Sequence, residues 1–486
     1  MKTLCNCPRW LKITGLILLV LIVVAGVVGY NRFMRDYGAT QFDNPDERFK
    51  YGSIGAENDA GIPYWIFYVL PRVFPDKLPK PGVGYASFGV VWEEGQELPV
   101  GFSKRRIGFD RVANTCASCH VASYRTQHDE TPTLVVTGPN HTLDLEAFFR
   151  FLVDCAKDPR FNADTLMAEI NLAAKLDFID RMAYRYLIIP ITKKRLVERE
   201  SQFQWIYRHD FPEWGRGRDD AMNLTKYFMI RWPMDDSFGP TDMPSVWNLK
   251  KYRPEKGDRM NFAGDSHDPY SVVIDSALGL MGAEPKDKQD FLGHIDWLVE
   301  YLKNKPAPKY PFPIDATRAE RGKSVFDANC AACHASARTG TIVPLSEIGT
   351  DRGRIDTWGK QAAIEANKVV IDMGIERKGL VESDLTGYVA QYLDGIWLRA
   401  PYLHNGSVPT LADMLTPPTQ RPQVFWRGYD VYDQNKVGFV VQGPEAERAG
   451  TQYDTRLRGN GKGGHPFGTA LQAGEKNDLL EYLKTL

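Results

Sequence analysis

The longest uninterrupted apolar segment of the chain lies near its N-terminus. Residues 13–30 contain no charged side chain, and as a helix they would cover about 27 Å, close to the hydrocarbon thickness of a bilayer. Lys2, Arg9 and Lys12 precede the segment and predict that its N-terminal side stays in the cytoplasm. We therefore predict a single-pass anchor in the inner (cytoplasmic) membrane, with the remainder of the chain in the periplasm. A cleaved signal peptide is the alternative, although no clear small-residue cleavage site follows the segment.

Further along the chain, apolar residues recur at three- and four-residue spacing, which is the pattern of amphipathic helices. The pattern occurs over residues 143–152, 163–176, 290–303 and 475–486. Strand-like alternation is scarce, and the Pro-, Gly- and aromatic-rich residues 63–84 predict irregular structure. Prolines at 306–313 interrupt the chain before a helix that begins near Asp315. The predicted fold class is mainly α with long irregular loops, divided into residues 1–35, 36–305 and 314–486.

Composition narrows the range of functions. The chain of 486 residues has 60 Lys and Arg against 61 Asp and Glu, so no excess charge attracts nucleic acid, and we expect no nucleic-acid partner. Seven cysteines are too few for a disulfide framework in a chain of this length. Cys5 and Cys7 precede the apolar segment, and Cys155 lies in a predicted helix, where we expect it to pack as a small apolar side chain.

The other four cysteines form two CxxCH motifs. One consists of Cys116, Cys119 and His120, and the other of Cys330, Cys333 and His334. Two thiols on one turn reach the vinyl groups of a haem to form thioethers, and the adjacent His becomes an axial ligand of the iron. A thioredoxin-like pair would need a βαβ setting, and a zinc site would need further clustered ligands; the sequence shows neither. We predict two covalently bound haem c groups, one in residues 36–305 and one in residues 314–486.

The ligand on the other side of each iron decides between electron transfer and catalysis. For the second haem, His465 stands in a glycine-flanked loop that lets the backbone approach a flat macrocycle. His404 and Met414 are the alternatives. For the first haem no glycine-framed His is evident, and His128 and His141 are the nearest candidates in the sequence.

At these positions the sequence resembles a known family. Residues 321–334, with Arg321, Gly322, Lys323 and the CAACH motif, resemble a class I cytochrome c. The two motifs together with PSVWN at 244–248 and LRAPYLHNGSVPTLADML at 398–415 are similar to the bacterial di-haem cytochrome c peroxidase superfamily. Within it the chain most resembles the branch of the di-haem rubber oxygenases. The resemblance covers roughly residues 85–486.

The resemblance implies that the two haems have different functions. The haem on His120 would be the reactive one, and the haem on His334 would transfer electrons with His465 as its distal ligand. An aromatic bridge between the haems is also implied, for which Trp247 and Phe262 are the candidates, and an interdomain calcium ion is a further implied cofactor. The chain has Phe262, Ala263 and Gly264 where the peroxidases have Trp-Asp-Gly. The sequence does not identify the Gln/Glu pair with which those peroxidases split peroxide, Glu284 being a candidate for one member, so peroxidase activity is disfavoured.

Two functions follow as hypotheses. The first is a membrane-anchored periplasmic redox enzyme in which oxygen or peroxide reacts at the first haem and electrons are exchanged through the second. Its substrate class stays open between peroxide and an unsaturated lipid or polyisoprene. The second is a membrane-tethered electron carrier without a substrate site. Both require a redox partner protein in or at the membrane. For the aromatic residues 64–74, core packing is favoured over contact with the membrane surface.

Overall fold

A computed structural model describes residues 9–80, 83–283, 287–375 and 379–486. Helices outweigh strands in these ranges. The helices before the second motif are α1 (Arg9–Phe33), α2 (Pro45–Tyr51), α3 (Tyr64–Val73), α4 (Leu145–Lys157), α5 (Ala163–Ala173), α6 (Phe178–Ala183), α7 (Ile189–Phe203), α8 (Ala221–Leu224), α9 (Pro269–Gly279) and α10 (Lys288–Asn304). Those that follow are α11 (Ala316–Asn329), α12 (Ala331–His334), α13 (Leu345–Ile348), α14 (Gly353–Asp356), α15 (Lys360–Asp372), α16 (Leu411–Met414), α17 (Pro444–Ala449) and α18 (Ala473–Leu483).

The strands are short and antiparallel. They are β1 (Asp36–Ala39), β2 (Ile62–Pro63), β3 (Phe102–Ile107), β4 (Phe109–Asn114), β5 (Val121–Tyr124), β6 (Thr133–Val136), β7 (Arg218–Asp219), β8 (Thr241–Asp242), β9 (Ile342–Pro344), β10 (Gly387–Val389), β11 (Val424–Arg427), β12 (Tyr432–Asp433), β13 (Gly438–Phe439) and β14 (Thr451–Asp454). Four of them form one sheet in the order β1-β3-β4-β2, and the others pair two by two. Strand β4 leads directly into the first CxxCH motif.

Helix α1 is long and apolar enough to cross a membrane. None of its 25 residues is buried, and an 18-residue window within it has a mean hydropathy of 2.8. The end of the helix is tied to the body of the protein. The backbone of Phe33 packs on Gly108, where a Cβ atom would lie only 2.4 Å from the carbonyl carbon of Phe33. Arg32 forms ion pairs with Asp177, at 2.7 Å, and with Asp180 at the start of α6.

The three- and four-residue spacing of apolar residues and the proline-rich break predicted several of the long helices in both parts of the chain. Helices α4, α5, α10 and α18 confirm the amphipathic segments, and α11 confirms the helix predicted to begin near Asp315. The prediction of irregular structure over residues 63–84 was wrong in part, because residues 64–73 form α3. Helix α3 contains Pro71 in its last turn and buries Ile66, Phe67 and Leu70. Burial of this apolar face outweighs the hydrogen bond that proline removes, and these residues pack in the core as expected.

The two parts of the chain pack against each other through buried polar contacts. Asp242, in β8, forms an ion pair with Arg427 in β11, and both side chains are buried. Arg218, in β7, donates from Nη1 to Oδ1 of Asn460 at 2.9 Å. Within the second part, α11 and α18 cross so closely that a Cβ atom at Gly322 would lie 1.9 Å from the carbonyl oxygen of Asp478. Only glycine permits this approach.

Candidate haem sites

The second CxxCH motif begins where α11 ends. The N–H of Cys330 donates to the carbonyl of Phe326 at 2.8 Å, and the N–H of His334 donates to the carbonyl of Cys330 at 3.0 Å. This turn places both thiols and the imidazole beside one cavity of about 450 Å³. Nδ1 of His334 donates to the carbonyl oxygen of Gln391 at 2.9 Å. The bond assigns the ring proton to Nδ1 and leaves Nε2 free to bind a metal.

His465 faces His334 across the same cavity. The ring centroids lie 6.2 Å apart, with an interplanar angle of 43°. A metal–imidazole bond of about 2 Å, plus about 1.1 Å from nitrogen to ring centre on each side, gives a spacing of about 6 Å for two rings that share one metal ion. Burial, followed by the nearby His334, lowers the pKa of His465 to about 4, so the ring is neutral at pH 7, as a metal ligand must be.

The loop that carries His465 is held in a strained but well-supported conformation. His465 has a φ of 46° and follows Gly464, with a φ of 83°. A Cβ atom at Gly464 would lie 2.5 Å from the amide nitrogen of Thr350, so only glycine fits there. The N–H of His465 donates to the carbonyl of Ile348 at 2.7 Å. Backbone bonds therefore fix the position of the ring.

His404 and Met414 line the same cavity, but His404 is engaged elsewhere. Its ring stacks on Tyr388 at a centroid distance of 4.1 Å, and its Nε2 lies 3.1 Å from the Tyr388 hydroxyl. That hydroxyl already donates its one proton to the carbonyl of Asp351 at 2.8 Å. Nε2 of His404 must therefore be the donor to Tyr388, which removes its lone pair from metal binding.

The first CxxCH motif repeats the geometry of the second. The N–H of Cys119 and the N–H of His120 donate to the carbonyl of Cys116 at 3.2 and 3.0 Å. The turn fits closely against Gly101, where a Cβ atom would lie 2.3 Å from Cα of Ser118. Nδ1 of His120 donates to the carbonyl oxygen of Pro244 at 2.8 Å. As at His334, this bond leaves Nε2 free for a metal.

The surroundings of the first motif differ from those of the second. Cys119 is buried in the aromatic core, and Cys116 lines a cavity of only about 20 Å³. Among the described residues, no aromatic or imidazole ring is paired with His120 at the spacing that separates His334 from His465. The two thiols and Nε2 of His120 are the groups that a haem c needs. The space beside them is too small for the macrocycle, so binding of haem at this motif requires neighbouring side chains to move apart.

The two histidines suggested for the first site have different environments. His128 is exposed, and its Nδ1 lies 3.2 Å from the hydroxyl of Tyr429. His141 is buried and stacks on Phe439 at 3.6 Å, and neither of its ring nitrogens makes a well-aligned hydrogen bond, although the backbone of Pro139 lies within reach. The preceding residue, Asn140, donates its backbone N–H to the carbonyl of Cys119 at 2.9 Å. His141 is thus held close to the first motif in the chain.

Trp247 and Phe262 both line the 450 Å³ cavity beside the second motif. Nε1 of Trp247 donates to the carbonyl of Asp394 at 3.0 Å. Pro244, whose carbonyl accepts from His120, also lines this cavity. Residues 244–247 therefore connect the ring of His120 with the cavity of His334. Phe262 lies farther along the same cavity, where its carbonyl accepts from the N–H of Val389 at 2.8 Å.

Three groups that hold the candidate histidine ligands in place were not predicted from the sequence. Nothing in the sequence marks the backbone carbonyls of Pro244 and Gln391 as acceptors for the two histidines, because every residue has a carbonyl. Arg421 is buried beneath the His465 loop and donates only to backbone carbonyls.

Within the described ranges no group of three or more His, Cys, Asp and Glu side chains forms a metal site, so nothing marks a calcium ion. Glu284, Cys5 and Cys7 lie outside the described residues.

Comparison with known proteins places this chain among relatives of the cytochromes c. Residues 319–378, which include the second CxxCH motif, match the cytochrome c family. Residues 387–427 match the family described as RoxA-like, cytochrome c-like. This chain is related to cytochromes c and to RoxA-like cytochromes c. Covalently bound haem c follows from this relationship, and the second motif is the one inside the matched residues.

Two curated relatives come from Sinorhizobium fredii (strain NBRC 101917 / NGR234). The uncharacterized protein y4iM is 32% identical, over 50% of this chain and 64% of the relative. The uncharacterized protein y4iJ is 43% identical, over 20% of this chain and 18% of the relative. The matches span less than two thirds of the length of either relative. Neither name assigns an activity.

Proposed function

We propose that this protein is a membrane-anchored periplasmic di-haem c-type cytochrome of the di-haem peroxidase superfamily that acts as a redox enzyme. The second site, on His334 and His465, would transfer electrons, and the first site, on His120, would react with oxygen or peroxide. The facing rings of His334 and His465 carry the proposal, because two strong axial ligands favour electron transfer over ligand binding. The absence of such a ring opposite His120, within the described residues, supports an open position at the first iron.

When bound, the haem c groups would supply the redox chemistry, and the protein would supply orientation and insulation. The carbonyls of Pro244 and Gln391 hold His120 and His334 in the tautomer that exposes Nε2. Trp247, three residues beyond Pro244, would bridge the two sites as an aromatic side chain, and Phe262 is the second candidate for this role. A redox partner protein in or at the membrane would exchange electrons with the second site.

A tethered electron carrier is the second candidate function. His141 favours it, because its buried ring nitrogens make no well-aligned hydrogen bond and the backbone of its neighbour Asn140 is hydrogen-bonded to the first motif. If His141 were the second ligand of the first iron, both irons would be six-coordinate.

Absorption and paramagnetic-resonance spectra of the purified protein distinguish these functions. The enzyme predicts one low-spin and one high-spin haem, with carbon monoxide binding to the reduced high-spin site and consumption of oxygen or peroxide. His141→Phe should then leave both spectra unchanged, as should the surface control His128→Phe. If both haems are low-spin and neither binds carbon monoxide, the hypothesis of a redox enzyme is rejected. Conversion of one of them to high spin by His141→Phe would establish the carrier.

A further inference from the structure

A second large cavity lies in the first part of the chain, among α4, α7, β4 and residues 279–282. It measures about 420 Å³, and its lining is largely apolar and includes the phenylalanines Phe102, Phe148, Phe203 and Phe228. Neither CxxCH motif contributes a side chain to its lining. Close-packed protein interiors rarely leave an apolar space of this size empty, and the volume is within the range of small-molecule sites.

The cavity opens beside the end of α1. Phe33, the last residue of α1, lines it, as do Leu187 and Ile191. Leu187 and Ile191 are nevertheless 51% and 49% exposed, so they form an apolar rim. Phe178 and Tyr186 extend the exposed apolar surface along α6 and the turn that follows it. Because Arg32 is ion-paired with Asp177 and Asp180, this surface lies where α1 would leave a bilayer.

Basic side chains occupy part of the lining. Arg111, Arg195 and Arg199 line the cavity, with Asp59 as the acidic residue among them. Nη1 of Arg111 donates to the carbonyl of Asn58 at 3.0 Å, while its buried Nε has no hydrogen-bond partner. Burial and then the charge of Arg195 lower the pKa of Arg111, while Asp59 and Asp36 raise it, so these carboxylates offset only part of the repulsion between the two guanidinium groups. An anion between them would relieve that repulsion.

We propose that this cavity binds an anionic amphiphile from the membrane, with its acyl chain among the phenylalanines and its carboxylate or phosphate between Arg111 and Arg195. The exposed rim of Leu187 and Ile191 provides the route of entry from the lipid surface. The proposal rests on α1 as a membrane anchor, which is part of the proposed function, and it requires no chemistry at either haem. Fatty acids and anionic phospholipids share the chemistry that the site recognises.

Fluorescence titration tests the site in the full-length holoprotein, reconstituted in phosphatidylcholine nanodiscs. The probes are cis-parinaric acid and the alcohol of the same polyene chain, with protein-free nanodiscs as the blank. We expect one saturable site whose Kd for the acid is at least about tenfold lower than for the alcohol, since a charge-assisted hydrogen bond is lost. Arg195→Ala should remove this preference. Arg195→Lys should restore part of it, and Lys194→Ala, the neighbouring charge control, should keep it.

A second variant tests the route of entry. Leu187→Trp fills the rim and should abolish saturable binding of both probes; Ile191→Trp serves the same purpose if Leu187→Trp does not fold. Displacement of the probe by phosphatidylglycerol would identify a phospholipid headgroup, and displacement by palmitate alone would identify a free fatty acid. Equal affinity for acid and alcohol, or unchanged binding in the tryptophan variant, overturns the proposal. Haem spectra recorded on the same samples report separately on the proposed function.

Discussion

Arg421 donates from Nη2 to the carbonyl oxygen of His465 at 3.0 Å. The same guanidinium donates from Nη1 to the carbonyls of Lys462 and Gly464, both at 2.8 Å. Its planar arrangement of donors spans the whole loop, which a lysine ammonium cannot do. Arg421 is therefore a positioning residue for His465, and burial lowers its pKa only to about 10, so the charge persists at pH 7.

Replacing Arg421 by Lys should loosen the His465 loop. The lost hydrogen bonds leave buried carbonyls without donors, at a cost on the order of 3 kcal/mol. We expect a lower Tm and a fraction of the second haem that binds carbon monoxide, because His465 dissociates more readily. Arg456→Lys, at an exposed arginine paired with Asp454, is the control. An unchanged Tm and spectrum would contradict the positioning role.

His465→Ala should convert the second haem from low to high spin, because one axial ligand is removed. Added imidazole should restore the low-spin spectrum by filling the vacated position. His404→Gln should leave the spectrum low-spin, since Nε2 of His404 is committed to Tyr388. Absorption spectra of the oxidised and reduced variants measure all three outcomes. A spin change in His404→Gln and none in His465→Ala would reverse the ligand assignment.

Trp247→Phe should slow electron exchange between the two sites while leaving both haem spectra intact. The substitution keeps an aromatic ring and removes the hydrogen bond to Asp394, which is worth about 1 kcal/mol of stability. Trp247→Ala should cost about 3 to 5 kcal/mol through the cavity it creates. Pre-steady-state reduction, followed separately at each haem, measures the exchange rate. An unaltered rate in both variants would exclude Trp247 as the bridge.

Glu146 should make the stability of the first part depend on pH. It is only 3% exposed, and burial raises the pKa of its carboxyl from 4.5 to about 7. Because the folded state binds this proton more tightly than the unfolded state, its contribution to stability is greatest below pH 4.5. The contribution of Glu146 to the free energy of unfolding falls by about 3 kcal/mol as the pH rises from 4.5 to 7, and it stays constant above pH 7.

Glu146→Gln removes this dependence while retaining an acceptor for the N–H of Trp214, 2.6 Å away. The variant should match the wild type at pH 4 and exceed its stability at pH 8. Thermal unfolding followed between pH 4 and 8 measures the difference. Wild type and variant proteins that lose stability in parallel over this range would show that folding does not raise the pKa of Glu146.

The two CxxCH motifs and the helices α4, α5, α10, α11 and α18 were predictable from sequence, because covalent attachment and helical periodicity both depend on fixed local spacing. The flanking glycines led to the prediction of His465 as a ligand, and the φ values of His465 and Gly464 show why this loop needs glycine; ligation by His465 stays a prediction. The roles of Pro244 and Gln391 were not predictable, because their carbonyls approach the histidines only in the folded chain. Helix α3 was missed since Pro71 indicated a break that burial overrides.

The buried ion pair between Asp242 and Arg427 limits how this gene can be divided. The proline-rich residues 306–313 suggest a natural cutting point, yet a polypeptide that began after them would retain Arg427 without its carboxylate. A buried guanidinium deprived of its counter-ion is strongly destabilising. The two CxxCH motifs therefore belong to one folding unit, and a recombination event that separated them would leave Arg427 buried without its counter-ion.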